Sequence, residues 1–146
     1  MAAMDVTAHL DAPHPAAAVW AVVSDLTTYP RWLDIVPRAD AGDDGSWTID
    51  LRGRLGPFAR TKRLRMVRTQ TASPTLVVFE REERDGKEHS PWVLRAEVEA
   101  IGDDASHLTM RLHYGGSLFG PVLERLLGDT IEKSRTKLLA ELDSRH

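Results

Sequence analysis

The chain has 146 residues, a formal net charge of −3 and no cysteine, and this length suits one domain, residues 1–146, around a single hydrophobic core. The lack of cysteine excludes disulfides, thiolate metal sites and thiol nucleophiles, and it fits a reducing, cytoplasmic setting. Because the charge balance is slightly acidic and neither a basic leader nor a run of about 18 apolar residues occurs, we expect no nucleic-acid partner, secretion signal or membrane span.

The amino-terminal part of the sequence predicts a strand followed by two short helices. Residues 4–11 alternate apolar and polar side chains, which is typical of a strand with one buried face. Pro15 opens the apolar run AAAVWAVVSD, and proline is tolerated in the first turn of a helix. The next segment, SDLTTYPRWLDIVP, is too interrupted for a long helix. We therefore predict a second short helix that is capped by Thr27 or Thr28 and runs through Trp32.

The middle of the sequence predicts a series of antiparallel strands. Residues 92–98 and 108–114 show the clearest alternation, so each of these strands has one dry and one solvated face. In residues 76–82 two apolar side chains are adjacent, and the buried face of that strand stays unassigned. Turns are predicted at Gly42–Gly45, Asp85–Lys87 and Gly102–Asp104.

The last part of the sequence predicts one long amphipathic helix. From about residue 120 to residue 144, apolar side chains recur at i, i+3 and i+4 spacing. A helix of that length spans roughly 35 Å. It is the only predicted element large enough to cover one face of the sheet, so the sequence predicts an α+β domain.

One pattern near the amino end carries a resemblance to a known superfamily. Its residues are Val19, Trp20, Val22, Val23, Ser24, Asp25, Tyr29, Pro30 and Trp32. Together with the order of elements over the whole chain, this pattern resembles the START and Bet v 1-like helix-grip superfamily (SRPBCC), and within it bacterial polyketide cyclase/dehydrase and lipid-transport proteins. The resemblance implies a curved antiparallel sheet of about seven strands wrapped round the C-terminal helix. It also implies that the two short helices after the first strand close one end of an apolar cavity.

The resemblance places a set of apolar and aromatic side chains in the wall of that cavity. The residues predicted to contact a ligand are Trp32, Ile35, Val36, Trp47, Ile49, Leu51, Leu64, Met66, Trp92, Leu94, Met110, Leu112, Tyr114, Leu123 and Leu127, with Ile131 beside them. For most of these positions ordinary core packing is the alternative. Trp32, Trp47, Trp92 and Tyr114 stand out because pocket walls favour large aromatic rings that carry a polar atom. Tyr114 is the predicted hydrogen-bond donor to a ligand.

Few side chains in the sequence are candidates for catalysis or metal binding. Besides Tyr114, the polar residues that could face inward are Ser90, Lys62, Arg68 and Arg81, and no catalytic residue is identified. A cyclase or dehydratase needs an acid or base in its pocket. The six histidines lack a spacing such as H-E-x-x-H, so neither a metal site nor a cofactor is expected.

Three functional hypotheses remain open from the sequence. The leading one is a protein that binds a hydrophobic or amphipathic small molecule, such as a polyketide, lipid or isoprenoid. The alternative is an aromatase-like polyketide cyclase/dehydratase that acts in the same cavity. The third is a protein-partner-binding module that uses a basic outer face of the sheet, formed by Arg52, Arg54, Arg60, Lys62, Arg63, Arg65 and Arg68.

Overall fold

The computed structural model describes residues 4–55, 58–115 and 123–145. Within these residues, seven antiparallel strands form one sheet in the order β1-β7-β6-β5-β4-β3-β2. The elements along the chain are β1 (Met4–Ala12), α1 (Ala16–Val23), a 3₁₀ helix (Leu26–Arg31), β2 (Arg38–Ala41), β3 (Ser46–Leu55), β4 (Phe58–Ala72), β5 (Leu76–Arg81), β6 (Trp92–Ala100), β7 (Ser106–Tyr114) and α2 (Leu123–Arg145). This is the α+β helix-grip architecture, and the prediction of the fold is confirmed.

The register of the sheet assigns the strand whose buried face the sequence left open. Val77 and Phe79 are fully buried and pair across the strands with Ala96 and Leu94. Because Ala96 is also fully buried and directly opposed residues lie on the same face of a sheet, Val77 and Phe79 face the core. Val78 points to the other face, where it is also buried.

The two short helices begin near the predicted positions, but the cap of the second one differs. The carboxylate of Asp25 accepts a hydrogen bond from the backbone N–H of Thr27 at 3.0 Å, so Asp25 is the N-cap. The prediction of a cap at Thr27 or Thr28 is therefore wrong. The hydroxyl of Thr28 is used inside the core, where it donates to the carbonyl of Val22 at 2.8 Å.

The connection between β5 and β6 is longer than the predicted tight hairpin. Strand β5 ends at Arg81, and strand β6 begins at Trp92. Asp85 folds the intervening loop locally, because its carboxylate accepts from the backbone N–H of Lys87 at 3.0 Å and bonds the imidazole of His89 at 2.8 Å. The turn at Asp85 therefore forms the tip of a longer loop and does not set the register between β5 and β6.

Helix α2 covers the concave face of the sheet. Its 23 residues correspond to a length of about 35 Å. Ser134, Leu138 and Leu142 form its buried stripe, and the helix packs against β1, β3, α1 and the 3₁₀ helix. Among the described residues, no helix combines the length and the apolar character that crossing a bilayer would require.

Candidate ligand-binding cavity

An apolar cavity of about 140 Å³, partly open to solvent, lies between the concave face of the sheet and helix α2. Strands β1, β3, β4, β6 and β7, the connection from α1 to β2, and α2 all contribute to its wall. The lining residues are Val6, Ala8, His9, Leu10, Leu26, Tyr29, Trp32, Leu33, Ile35, Val36, Ile49, Leu51, Leu64, Met66, Trp92, Leu94, Leu108, Met110, Leu112, Ile131, Ser134, Arg135 and Leu138.

Most of the residues predicted from the sequence lie in this wall. They are Trp32, Ile35, Val36, Ile49, Leu51, Leu64, Met66, Trp92, Leu94, Met110 and Leu112, together with Ile131. Their contact with a ligand stays a prediction. The predicted positions Leu123 and Leu127 fall outside the part of the chain whose side chains the structure describes.

Two of the predicted aromatic residues are buried but do not line the cavity. Trp47 packs edge-on against Phe79, with ring centroids 5.4 Å apart. Tyr114 stacks on Trp92 at a centroid distance of 4.2 Å. The alternation of side chains along each strand correctly predicted that both residues lie on the inward face of the sheet. It carries no information on whether another ring lies between a side chain and the cavity. Tyr114 is thus placed beside a lining residue, Trp92, and not in the wall itself.

Strand β1 supplies part of the wall that the sequence analysis missed. Its dry face was visible in the alternation of residues 4–11, yet the position of the strand in the sheet was not. Pairing with β7 sets Val6 opposite Leu112, and Ala8 opposite Met110. The inward side chains of β1 therefore continue the apolar wall of β7 up to the edge of the sheet.

The connection between α1 and β2, residues 24–37, forms another part of the wall and is tightly packed. The hydroxyl of Tyr29 donates to the carbonyl of Val23 at 2.8 Å, and the ring of Tyr29 lies 4.4 Å from that of Trp32. Burial, and after it the nearby charge of Asp25, raises the pKa of the Tyr29 phenol well above its usual range. Trp32 is only 2 % exposed. The segment that the resemblance places at one end of the cavity is therefore packed as part of the core.

This connection is also tied to the sheet and to helix α2. The carbonyl of Ile35 accepts a hydrogen bond of 2.8 Å from the backbone N–H of Arg52 in β3. Two ion pairs join the segment to α2: Arg31 with Glu141 at 3.1 Å, and Asp34 with Lys137. These contacts hold the aromatic wall in place from both sides.

Polar groups in the described wall are few, and apart from the indole N–H of Trp92 those described here are bonded within the protein. The hydroxyl of buried Ser134 donates to the carbonyl of Thr130 at 2.6 Å. Arg135 donates from Nε to the carbonyl of His9 at 3.0 Å and pairs with Glu132. Such a wall favours a ligand through apolar burial and offers little to an ionised group.

Two buried indole N–H groups, those of Trp47 and Trp92, have no hydrogen-bond partner within the described residues. Leaving a buried donor unpaired costs on the order of 1–3 kcal/mol. The two differ in position, because Trp92 lines the cavity and Trp47 does not. Trp92 thus lines the cavity and carries an indole donor without a partner, although that nitrogen itself is buried.

Arg68, a candidate for an inward-facing charge, is used to hold the core together. Its Nη2 donates to the carbonyl of Ser24 at 2.8 Å. The guanidinium also lies over the rings of Trp47 and Phe79, at 5.3 and 5.9 Å from their centroids. Arg68 therefore shares the inward face of the sheet with its cross-strand partner Phe79, but it does not line the cavity.

Arg81 lies on the inward side of β5, yet its donors are engaged elsewhere. Its side chain is 5 % exposed, and Nε reaches Glu83 at 3.3 Å. The two Nη atoms bond the carbonyl of Ser90 at 3.2 Å and the imidazole of His89 at 3.1 Å. None of Arg81, Ser90 and Lys62 lines the cavity. The ionisable residues of the described wall are therefore His9, Tyr29 and Arg135, and none of the four inward-facing polar candidates Ser90, Lys62, Arg68 and Arg81 is among them.

Two residues of the basic run, Arg63 and Arg65, have acidic partners on the outer face of the sheet. Arg63 donates two hydrogen bonds to Asp50, at 2.9 and 3.4 Å, and this lowers the pKa of the Asp50 carboxyl. Arg65 pairs with Asp44 at 3.0 Å and with Glu82 at 3.6 Å. Pairing of this kind is an ordinary surface arrangement and gives a polyanionic partner little unmatched charge.

Comparison with solved structures identifies the fold across the whole chain. A START superfamily protein from Mycobacterium smegmatis aligns with a TM-score of 0.71 at 16% identity, covering 97% of this chain and 99% of that one. A conserved protein from Geobacillus kaustophilus aligns with a TM-score of 0.74 at 13% identity, covering 98% and 97%. The Zhui aromatase/cyclase of a Streptomyces species aligns with a TM-score of 0.64 at 13% identity, covering 99% and 96%.

The family follows from the sequence match. No curated protein matches the chain, but the family model described as "Polyketide cyclase / dehydrase and lipid transport" matches residues 1–145. The helix-grip architecture and the similar solved structures agree with that match. The chain therefore belongs to the polyketide cyclase/dehydrase and lipid-transport family.

Proposed function

We propose that this protein binds a hydrophobic or amphipathic small molecule in the cavity between the sheet and helix α2. The observation that carries the proposal is the wall itself, which is apolar over almost all its surface. The hydroxyl of Ser134 and the guanidinium of Arg135 in this wall bond to the protein. Burying apolar ligand surface there contributes about 25 cal/mol per Å² before the costs of association. A polyketide, lipid or isoprenoid supplies such a surface.

The volume of the cavity limits how much of the ligand is enclosed. An engineered cavity of about 150 Å³ in another protein holds one benzene molecule, and the cavity here measures about 140 Å³. We infer that one ring or a short chain segment occupies the enclosed space. The rest of a larger ligand extends toward the solvent-open side.

The unpaired donor at the wall supplies an orientation for the ligand. An oxygen acceptor on the enclosed part of the ligand, such as a carbonyl, would satisfy Nε1 of Trp92. A polar anchor of this kind in an otherwise apolar site is how small-molecule pockets fix the pose of a ligand. Oxygenated rings and ketones therefore fit better than pure hydrocarbons.

The cyclase/dehydratase alternative draws on the family description and on the structural likeness to an aromatase/cyclase. Its chemistry needs an acid or base that reaches the bound substrate. In the described wall the ionisable residues are His9, Tyr29 and Arg135. The hydroxyl of Tyr29 donates to the carbonyl of Val23, and Arg135 is bonded to protein groups. The wall thus supports binding more directly than catalysis.

A variant that fills the cavity tests the proposal. Ala8 lines the cavity, whereas its neighbour Thr7 is exposed on the opposite face of β1. We expect Ala8→Phe to reduce binding of the fluorescent probe anilinonaphthalene sulfonate at least tenfold, and Thr7→Phe to leave it unchanged. Circular dichroism verifies that both variants are folded. Equal probe binding by wild type and a folded Ala8→Phe variant would overturn the proposal.

Native mass spectrometry of the purified wild-type protein identifies the natural ligand class. A small molecule that co-purifies with wild type and not with Ala8→Phe supports occupancy of this cavity. A molecule retained equally by both proteins places its binding elsewhere.

A further inference from the structure

The side chains of two histidines meet on the outer face of the sheet, although one of these residues, His9, also belongs to the cavity lining. Strands β1 and β7 pair His9 with Thr109, and Asp11 with His107. The two imidazoles are therefore diagonal neighbours on one face, and Nδ1 of His9 lies 3.1 Å from Nε2 of His107. Because 98 positions separate the two residues along the chain, a local sequence motif cannot predict that they lie together.

The two facing nitrogens share one hydrogen bond, whose direction depends on the imidazole tautomers. The carboxylate of Asp11 lies 2.6 Å from Nδ1 of His107, so a proton on Nδ1 leaves the lone pair of Nε2 directed toward His9. When His9 carries its proton on Nε2, its Nδ1 presents a lone pair as well, and a metal ion at the two nitrogens replaces their hydrogen bond. The hydroxyl of Thr109, 3.2 Å from Nδ1 of His9, then turns its own proton away.

We propose that His9 and His107 form a two-imidazole binding site for a divalent transition-metal ion such as Cu²⁺, Ni²⁺ or Zn²⁺. Metal–nitrogen bonds of about 2.0–2.1 Å across the 3.1 Å separation of the nitrogens give an N–metal–N angle of about 98°. This angle lies between those of square-planar and tetrahedral coordination, the geometries of copper or nickel and of zinc. Imidazole is a ligand type that suits all three ions.

The surroundings of the pair support a bound cation. Asp11 holds His107 from behind, in the carboxylate–histidine–metal arrangement that orients ligands in many metal sites. On the neighbouring strand β6, Glu97 and Glu99 lie opposite Thr109 and His107 and add negative charge to this face. In the described part of the chain, no group of three or more His, Asp or Glu residues is disposed to hold a metal. Water or another exchangeable ligand therefore completes the coordination.

Isothermal titration calorimetry of the untagged full-length protein with each metal chloride tests the site. We expect one ion per chain, bound most tightly for Cu²⁺, and an affinity at least tenfold lower in both His9→Ala and His107→Ala. The matched control is His113→Ala: His113 lies on the same strand and bonds Asp5 at 2.9 Å, and its loss should leave binding unchanged. Asp11→Asn should weaken binding about 10–100-fold through the orientation of His107.

A spectroscopic measurement separates this site from nonspecific metal binding. Electron paramagnetic resonance of the Cu²⁺ protein should show coupling to two imidazole nitrogens, and this signature should be lost in either His→Ala variant. Undiminished binding by folded His9→Ala and His107→Ala variants would overturn the proposal. So would the absence of a one-to-one site for all three ions. The outcome is independent of the cavity proposal, because neither readout uses an organic ligand.

Discussion

Replacing Trp32 by alanine separates a core role of residues 24–37 from a loosely attached rim. Trp32 is 2 % exposed, packs on Tyr29 at 4.4 Å and bonds Thr28 through its indole N–H at 3.4 Å. Truncating a buried tryptophan to alanine costs about 3–5 kcal/mol. Domains of this size have a free energy of unfolding of about 5–15 kcal/mol, so we expect Trp32→Ala to remove a large share of the stability.

Urea unfolding followed by circular dichroism measures this loss, and Ile101→Ala is the matched control. Ile101 is apolar but 54 % exposed, so its truncation should change the free energy of unfolding by less than about 0.5 kcal/mol. A loss of less than about 1 kcal/mol in Trp32→Ala, with an unchanged dependence on urea, would refute the assignment of this ring to the core.

Two further predictions concern hydrogen-bonding groups in the core. Trp92→Phe removes the unpaired indole donor. Acetylnaphthalene, which carries a carbonyl acceptor, should then bind up to about tenfold more weakly, whereas ethylnaphthalene, which has none, should bind unchanged. Displacement of the fluorescent probe by each compound measures both affinities. Trp47→Phe should change the affinity for neither compound. If Trp47→Phe weakened acetylnaphthalene binding as much as Trp92→Phe does, the anchor at Trp92 would be contradicted. The raised pKa of Tyr29 means that the folded protein keeps the phenol protonated above about pH 10, where the unfolded chain ionises. Stability should therefore be fully present below pH 10 and fall by about 1.4 kcal/mol per pH unit above it. Tyr29→Phe should show a shallower fall in alkaline urea titrations, and identical slopes would exclude this linkage.

The fold was readable from the sequence wherever one face of an element is dry and the other is solvated. Strands β6 and β7 were found by alternation, because Trp92, Ala96 and Val98 are buried while their neighbours are not. Strand β5 could not be oriented, since Val77 and Val78 are both buried and only the pairing with β6 tells them apart. Periodicity reports burial, and it determines the inward face only when burial is one-sided.

The site was less predictable because it depends on depth and on sheet order. The alternation of side chains along β7 placed Tyr114 on the inward face. Only the three-dimensional structure shows that its ring stacks on Trp92. Likewise, His9 lies close to His107 only because β1 is the neighbour of β7, which sets His9 opposite Thr109. Local sequence patterns carry no information on which strands become neighbours.

The size of the cavity gives an energetic argument for a ligand. Empty cavity volume destabilises a protein by about 24 cal/mol per Å³, so about 140 Å³ corresponds to roughly 3 kcal/mol. The aromatic packing of residues 24–37 and their hydrogen bond to β3 form one side of this space, whereas the two largely exposed ion pairs to α2 contribute little. The ligand that we propose would recover part of the free energy by filling the cavity. The tight packing of this connection is the arrangement that a preformed binding site requires, and the proposal therefore needs no rearrangement of the wall.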